Sequence, residues 1–121
     1  MTTGLLIALC ALVASAGLAR AGEAEVAAVE ATRTGDGAWR FDVTVRHADE
    51  GWDHYANAFT VSTVEGEVLG TRTLLHPHVD EQPFTRSLAN VAIPDGVGRV
   101  LVRAVDSVHG EGAAFEVELP R

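Results

Sequence analysis

Lysine is absent from this chain, and all nine basic residues are arginine. Cysteine and methionine occur once each, as Cys10 and Met1. Both fall in the first 21 residues. If that segment is removed, the product has no thiol and no thioether. Disulfides, thiolate chemistry and methionine-type Cu(I) sites are then excluded. Basic residues are also few: 9 against 17 acids, a formal net charge of −8. That balance argues against nucleic-acid binding and against docking on anionic lipid. It favours attraction of cations. Motifs of enzymes are missing too. There is no G-x-S-x-G elbow and no phosphate-binding loop, so the chain is not expected to be an enzyme.

The one long apolar run is LLIALCALVASAGLA, residues 5–19. It ends at Ala19-Arg20-Ala21, a small-x-small cleavage pattern. The run is shorter than the ~20 residues of a spanning helix. A signal peptide over 1–21, cut after Ala21, is therefore expected, with a mature domain over 22–121. The product would be periplasmic or secreted, with no membrane attachment after cleavage. Losing Arg20 would leave 8 arginines and 17 acids.

From Val26 onward the hydrophobic period is near two. Trp39, Phe41, Val43 and Val45 alternate with Arg40, Asp42, Thr44 and Arg46. That is a half-buried strand. Thr34-Gly35-Asp36-Gly37 marks a hairpin turn before it. Further strands are expected at 58–64, 68–75, 84–93, 99–107 and from Phe115. About seven short strands without a helical segment predict an all-β fold, a single antiparallel β-sandwich of the Ig or fibronectin type III kind.

If consecutive strands alternate in direction, the loops sort to two ends. One end receives TGDG, EGE and PDGVG, which are generic turns. The other receives HADEGWDHYAN, HPHVDEQP and SVHGEG. This second end holds all five histidines: His47, His54, His76, His78 and His109. Loops on a rigid scaffold commonly carry sites. Pro77 stiffens His76 and His78 into an extended two-pronged pair. Imidazoles and carboxylates from three loops suit copper or zinc. The expected ligands are His76 and His78 with His109 and one of His47 or His54. Asp49, Asp53 or Glu111 would complete the set, or orient a histidine through its second nitrogen. The plainer reading is that these histidines only satisfy loop hydrogen bonds.

The same loops carry Trp52 and Tyr55. They are candidates for binding an exported partner protein or a glycan without metal. An aromatic lid over the end of the sandwich is the structural alternative.

The segments HADEGWDHYA and LLHPHVDEQPFTRSL resemble those of an uncharacterised family of small exported bacterial proteins. The likeness spans roughly residues 26–119. It implies export and one domain, and carries no assigned activity and no catalytic residues. CopC-like periplasmic copper carriers share the sandwich and the histidine and carboxylate chemistry, but not an N-terminal histidine, since cleavage here would leave Gly22 first.

Overall fold

The alternation read around Trp39 sets the architecture. In the computed structural model, which describes residues 15–16 and 22–120, that segment is strand β3, Ala38–Arg46. Its inward residues Trp39, Phe41, Val43 and Val45 are buried to 1% exposure or less. β2, Glu25–Gly35, precedes it through the expected Gly-Asp-Gly turn. Gly37 sits at φ +69°, a left-handed conformation that glycine adopts without steric cost.

Seven longer strands lie close to their expected positions. β4 is Ala56–Thr63, β5 Val68–Thr73, β6 Phe84–Ala92, β7 Arg99–Asp106 and β9 Phe115–Glu118. Two two-residue strands add to them, β1 (Ser15–Ala16) and β8 (Gly110–Glu111). β1 pairs with β9. The rest of the expected signal peptide, and its cleavage, lie outside the described residues. Among the described residues no helix is long and apolar enough to cross a membrane.

All pairings are antiparallel. One sheet runs β2-β3-β6 and the other β1-β9-β7-β4-β5, with β8 on β7. The sheets face each other as a sandwich. Phe41 and Phe84 come from the first, Phe59, Val102 and Phe115 from the second, and all are buried. Burying a side chain of this size stabilises by about 2–3 kcal/mol. At the sheet edges, Arg72 of β5 donates to the Ser87 carbonyl of β6 at 2.6 Å.

The β3–β4, β5–β6 and β7–β9 connections lie at one end. They are tied to each other by short bonds. The Ser107 amide donates to the Tyr55 carbonyl at 2.9 Å, and the Leu74 amide to the Asn57 carbonyl at 2.9 Å. The three loops therefore converge. Gln82–Pro83 is a cis bond within the second of them.

Candidate functional site

Two strands set the core of the site by carrying their inward alternation on to a polar residue, just past the last pair of β3 and at the last residue of β7. The inward positions of β3 continue from Val45 to His47. Those of β7 run Val100, Val102, Ala104 and then Asp106. Both polar residues thus point between the sheets. Their side chains are 1% and 0% exposed. His54, from the β3–β4 loop, joins them with a side chain 16% exposed.

The distances are short. His47 Nε2 lies 3.3 Å from His54 Nε2. His54 Nε2 lies 3.3 Å from Asp106 Oδ1, and His47 Nε2 4.0 Å from Asp106 Oδ2. One ligand atom from each of the three residues fits within a mutual 4.8 Å, close enough to hold one metal ion. Zn–N bonds of about 2.0–2.1 Å give tetrahedral edges of about 3.3–3.4 Å. The two shorter contacts already match such an edge. The Gly22 carbonyl oxygen completes the group, 2.9 Å from His47 Nε2 and 3.1 Å from His54 Nε2.

Hydrogen bonds on the far side of each ring fix which nitrogen faces inward. His47 Nδ1 donates to Asp49 Oδ1. His54 Nδ1 donates to Glu50 Oε1 at 3.0 Å. A carboxylate and a carbonyl oxygen both only accept, so the protonated ring donates on both sides, Nε2 to the Gly22 oxygen, whereas the neutral ring with its proton on Nδ1 presents an Nε2 lone pair to that oxygen. Two lone pairs, a carbonyl oxygen and a carboxylate then face one another. An acceptor-only group of this kind is repulsive until a cation or a proton enters it.

The electrostatics agree. The Glu50 carboxylate on Nδ1 raises the His54 pKa above its ordinary value; burial opposes this, and Asp106 and the hydrogen bond to the Gly22 carbonyl reinforce it. Burial alone would raise Asp106. The amides of His109 and Val108 and the His109 ring outweigh it and hold that carboxyl below its usual range. Asp106 is ready as an anion.

Asp49 supports the site without facing it. Besides His47, its Oδ1 accepts from the Ala56 amide at 3.0 Å, and its Oδ2 from the His78 amide at 2.7 Å. This is the orienting role that the sequence left open for it. His109 donates Nδ1 to Asp106 Oδ2 at 3.2 Å, and its ring centroid is 5.0 Å from that of His54.

The His-Pro-His pair stands apart from the group of three. His76 is exposed and donates Nδ1 to the Pro77 carbonyl at 3.2 Å. His78 is buried, stacked on Phe84 at 3.9 Å, and accepts from Arg86 through Nε2 at 3.0 Å. Its Nδ1 has no partner among the described residues. Burial and then the Arg86 charge lower its pKa. The guanidinium next to Nε2 also opposes a metal cation there. Two side chains link the pair to the group of three: Asp49, and Gln82, which accepts from the His47 amide at 2.9 Å and donates to the His78 carbonyl at 2.9 Å. Glu111 is exposed on β8, in register with Val105. Trp52 is 66% exposed, packed edge-on against Tyr55 at 5.5 Å, so it does not cover the sandwich end as a lid.

Asp106 is a member of this group that was not among the candidate ligands expected from sequence. The signal was present: it is the next inward position after Ala104. The Gly22 carbonyl is backbone and leaves no residue-type signal. A groove of ≈ 360 Å³ lies at the opposite end, lined by Thr63, Val97 and Arg99 among others, away from the histidines.

A chain segment of 90 residues is 43% identical to a protein of Halomicrobium mukohataei (strain ATCC 700874 / DSM 12286 / JCM 9738 / NCIMB 13541) named "Putative lipoprotein". The match covers 74% of this chain and 44% of that relative's length. That name assigns no activity. No family model matches the chain, and no solved structure matches it.

Proposed function

We propose that this is an exported domain that binds a single copper or zinc ion at one end of an Ig or fibronectin type III-like sandwich. The observation that carries it is the convergence of His47, His54 and Asp106, one ligand atom of each lying within 4.8 Å of the others, beside the Gly22 carbonyl oxygen. Each histidine is held by a carboxylate on Nδ1, the outer arrangement common around protein metal ions. Donors of nitrogen and oxygen type suit Cu²⁺ and Zn²⁺. The relative's lipoprotein name and the apolar run at 5–19 support export. The strand order β2-β3-β6 against β9-β7-β4-β5 supports the fold assignment. The role is binding or delivery of the ion, without catalysis.

Calorimetric titration of the domain with Cu²⁺ and Zn²⁺ tests this. One-to-one sub-micromolar binding is expected, lost in the His47→Ala, His54→Ala double variant. Unchanged affinity in that variant would refute the site.

A second reading rests on Trp52. Its exposed ring on Tyr55 suits a partner protein or a glycan, with no metal involved.

A further inference from the structure

We propose that acid releases the ion through His78, whose ring cannot take up a proton where it lies; the inference rests on the metal-site reading above. The ring is buried, stacked on Phe84 at 3.9 Å and 14°, with the His76 ring at 4.8 Å. Its Nε2 accepts from Arg86 at 3.0 Å. A guanidinium has donors only, so Nε2 keeps its lone pair and the ring proton sits on Nδ1. That atom is buried and has no hydrogen-bond partner among the described residues. A second proton would enter at Nε2, setting N–H against N–H and one positive charge against another. Two carboxylates are near, Asp49 from the β3–β4 loop and Glu81 from the same loop as His78, the latter 3.6 Å from Arg86. Both favour the charged ring, but burial, the Arg86 charge and His76 outweigh them. The charged ring is therefore stable only once it has left this place.

Its departure is felt at His47. The His78 amide donates to Asp49 Oδ2 at 2.7 Å, and Oδ1 of the same carboxylate holds His47 Nδ1. The His78 carbonyl accepts from Gln82 Nε2 at 2.9 Å, and Gln82 Oε1 accepts from the His47 amide at 2.9 Å. Both backbone polar groups of residue 78 are thus tied to residue 47, each through one side chain. The hydrogen bonds of His78 go to Asp49, Gln82 and Arg86, none of which is a ligand of the ion. His78 is a positioning residue. With its ring in place, Asp49 and Gln82 hold His47 toward Asp106 and His54. With its ring expelled and the β5–β6 loop displaced, neither is fixed. Apparent affinity then falls with the fraction of molecules that keep the closed arrangement. The domain takes its ion near neutral pH and gives it up in acid.

The test is calorimetric titration with Cu²⁺ and Zn²⁺ across the imidazole range, at about pH 7.5, 6.5 and 5.5. Wild type is compared with His78→Gln, whose neutral amide can still accept from Arg86. Protons compete for His47 and His54 in both proteins, so the difference between them isolates His78. Wild type should lose about 10-fold more affinity than His78→Gln over this range. Arg86→Gln, which offers a protonated His78 an acceptor, should shrink the excess loss as well. Circular dichroism at each pH establishes that the proteins are folded. In the metal-free domain the amide NMR signals of His78 and Ala56, both bonded to Asp49, should shift together as wild type is acidified and hold still in His78→Gln. Parallel loss of affinity in wild type and in both variants would overturn the proposal and leave the metal site standing. If wild type binds neither ion at the highest pH, the metal-site reading itself falls.

Discussion

Asp49 holds the His47 ring with one carboxylate oxygen and the backbone of His78 with the other. One buried side chain thus fixes a candidate ligand and positions the loop that carries His-Pro-His. Replacing Asp49 by alanine leaves the His78 and Ala56 amides and His47 Nδ1 without their acceptor. Each such buried group costs about 1–3 kcal/mol. Asp49→Ala should lose about 3 kcal/mol or more in urea denaturation. Asp49→Asn should fold better yet bind metal about 10–100-fold more weakly, because the His47 tautomer is no longer set.

Metal should stabilise the folded domain. An ion that binds only the folded state at 100 times its Kd contributes about 2.7 kcal/mol. For a domain of this size that raises Tm by about 10 °C or more. Scanning calorimetry with Cu²⁺ or Zn²⁺ and then with excess EDTA reads this directly. The shift should vanish on chelation and in the His47→Ala, His54→Ala variant.

His78 predicts a dependence on pH. Burial and Arg86 hold its pKa below the ordinary 6.5. Below that value the unfolded chain takes up a proton that the folded chain does not. Stability is therefore full above about pH 6.5 and declines as the pH falls toward the folded pKa. Urea denaturation at about pH 7.5 and 5, without metal, should show a larger loss in wild type than in His78→Gln. An equal loss would remove His78 as the cause.

Gly112 allows the β7–β9 connection to lie flat on the chain just after Gly22. Its amide donates to the Ala104 carbonyl at 2.8 Å. A Cβ there would collide with the Ala24 carbonyl oxygen, which is backbone and cannot rotate away. Gly112→Ala should cost about 3 kcal/mol. Because Ala24 is two residues from Gly22, metal affinity should fall as well, and titration of the folded fraction reads that.

Trp52→Ala separates the two functional readings. An exposed ring with one edge contact contributes about 1 kcal/mol or less. Tm and metal affinity should therefore stay near wild type. Loss of a glycan or protein partner with metal affinity intact would favour the interaction reading.

The strands could be read from sequence because one face of each is buried. Around Trp39 the period of two is clean, and β3 follows it. Sorting the loops to two ends required only alternating strand direction, and it placed all five histidines together. Which of them meet was harder. His76 and His78 drew attention through their spacing, yet Arg86 and Phe84 engage His78 from β6, a neighbour fixed only by the three-dimensional pairing. Asp106 closes β7, and the inward alternation of Val100, Val102 and Ala104 carries on to it and points it into the core. His47 follows the same rule on β3. Carrying the inward alternation on past the last apolar residue is the sequence signal that would have found both.

His47 extends from one sheet and Asp106 from the other. An ion held by both is a crosslink between the two layers, closing their seam at one end. Ion release would then require the seam to part, so the dissociation rate is bounded by the frequency of that local opening. Amides near the ends of β3 and β7 should become slower in hydrogen exchange together when the ion is bound. Those around the Gly96 turn, at the far end, would exchange at their former rate.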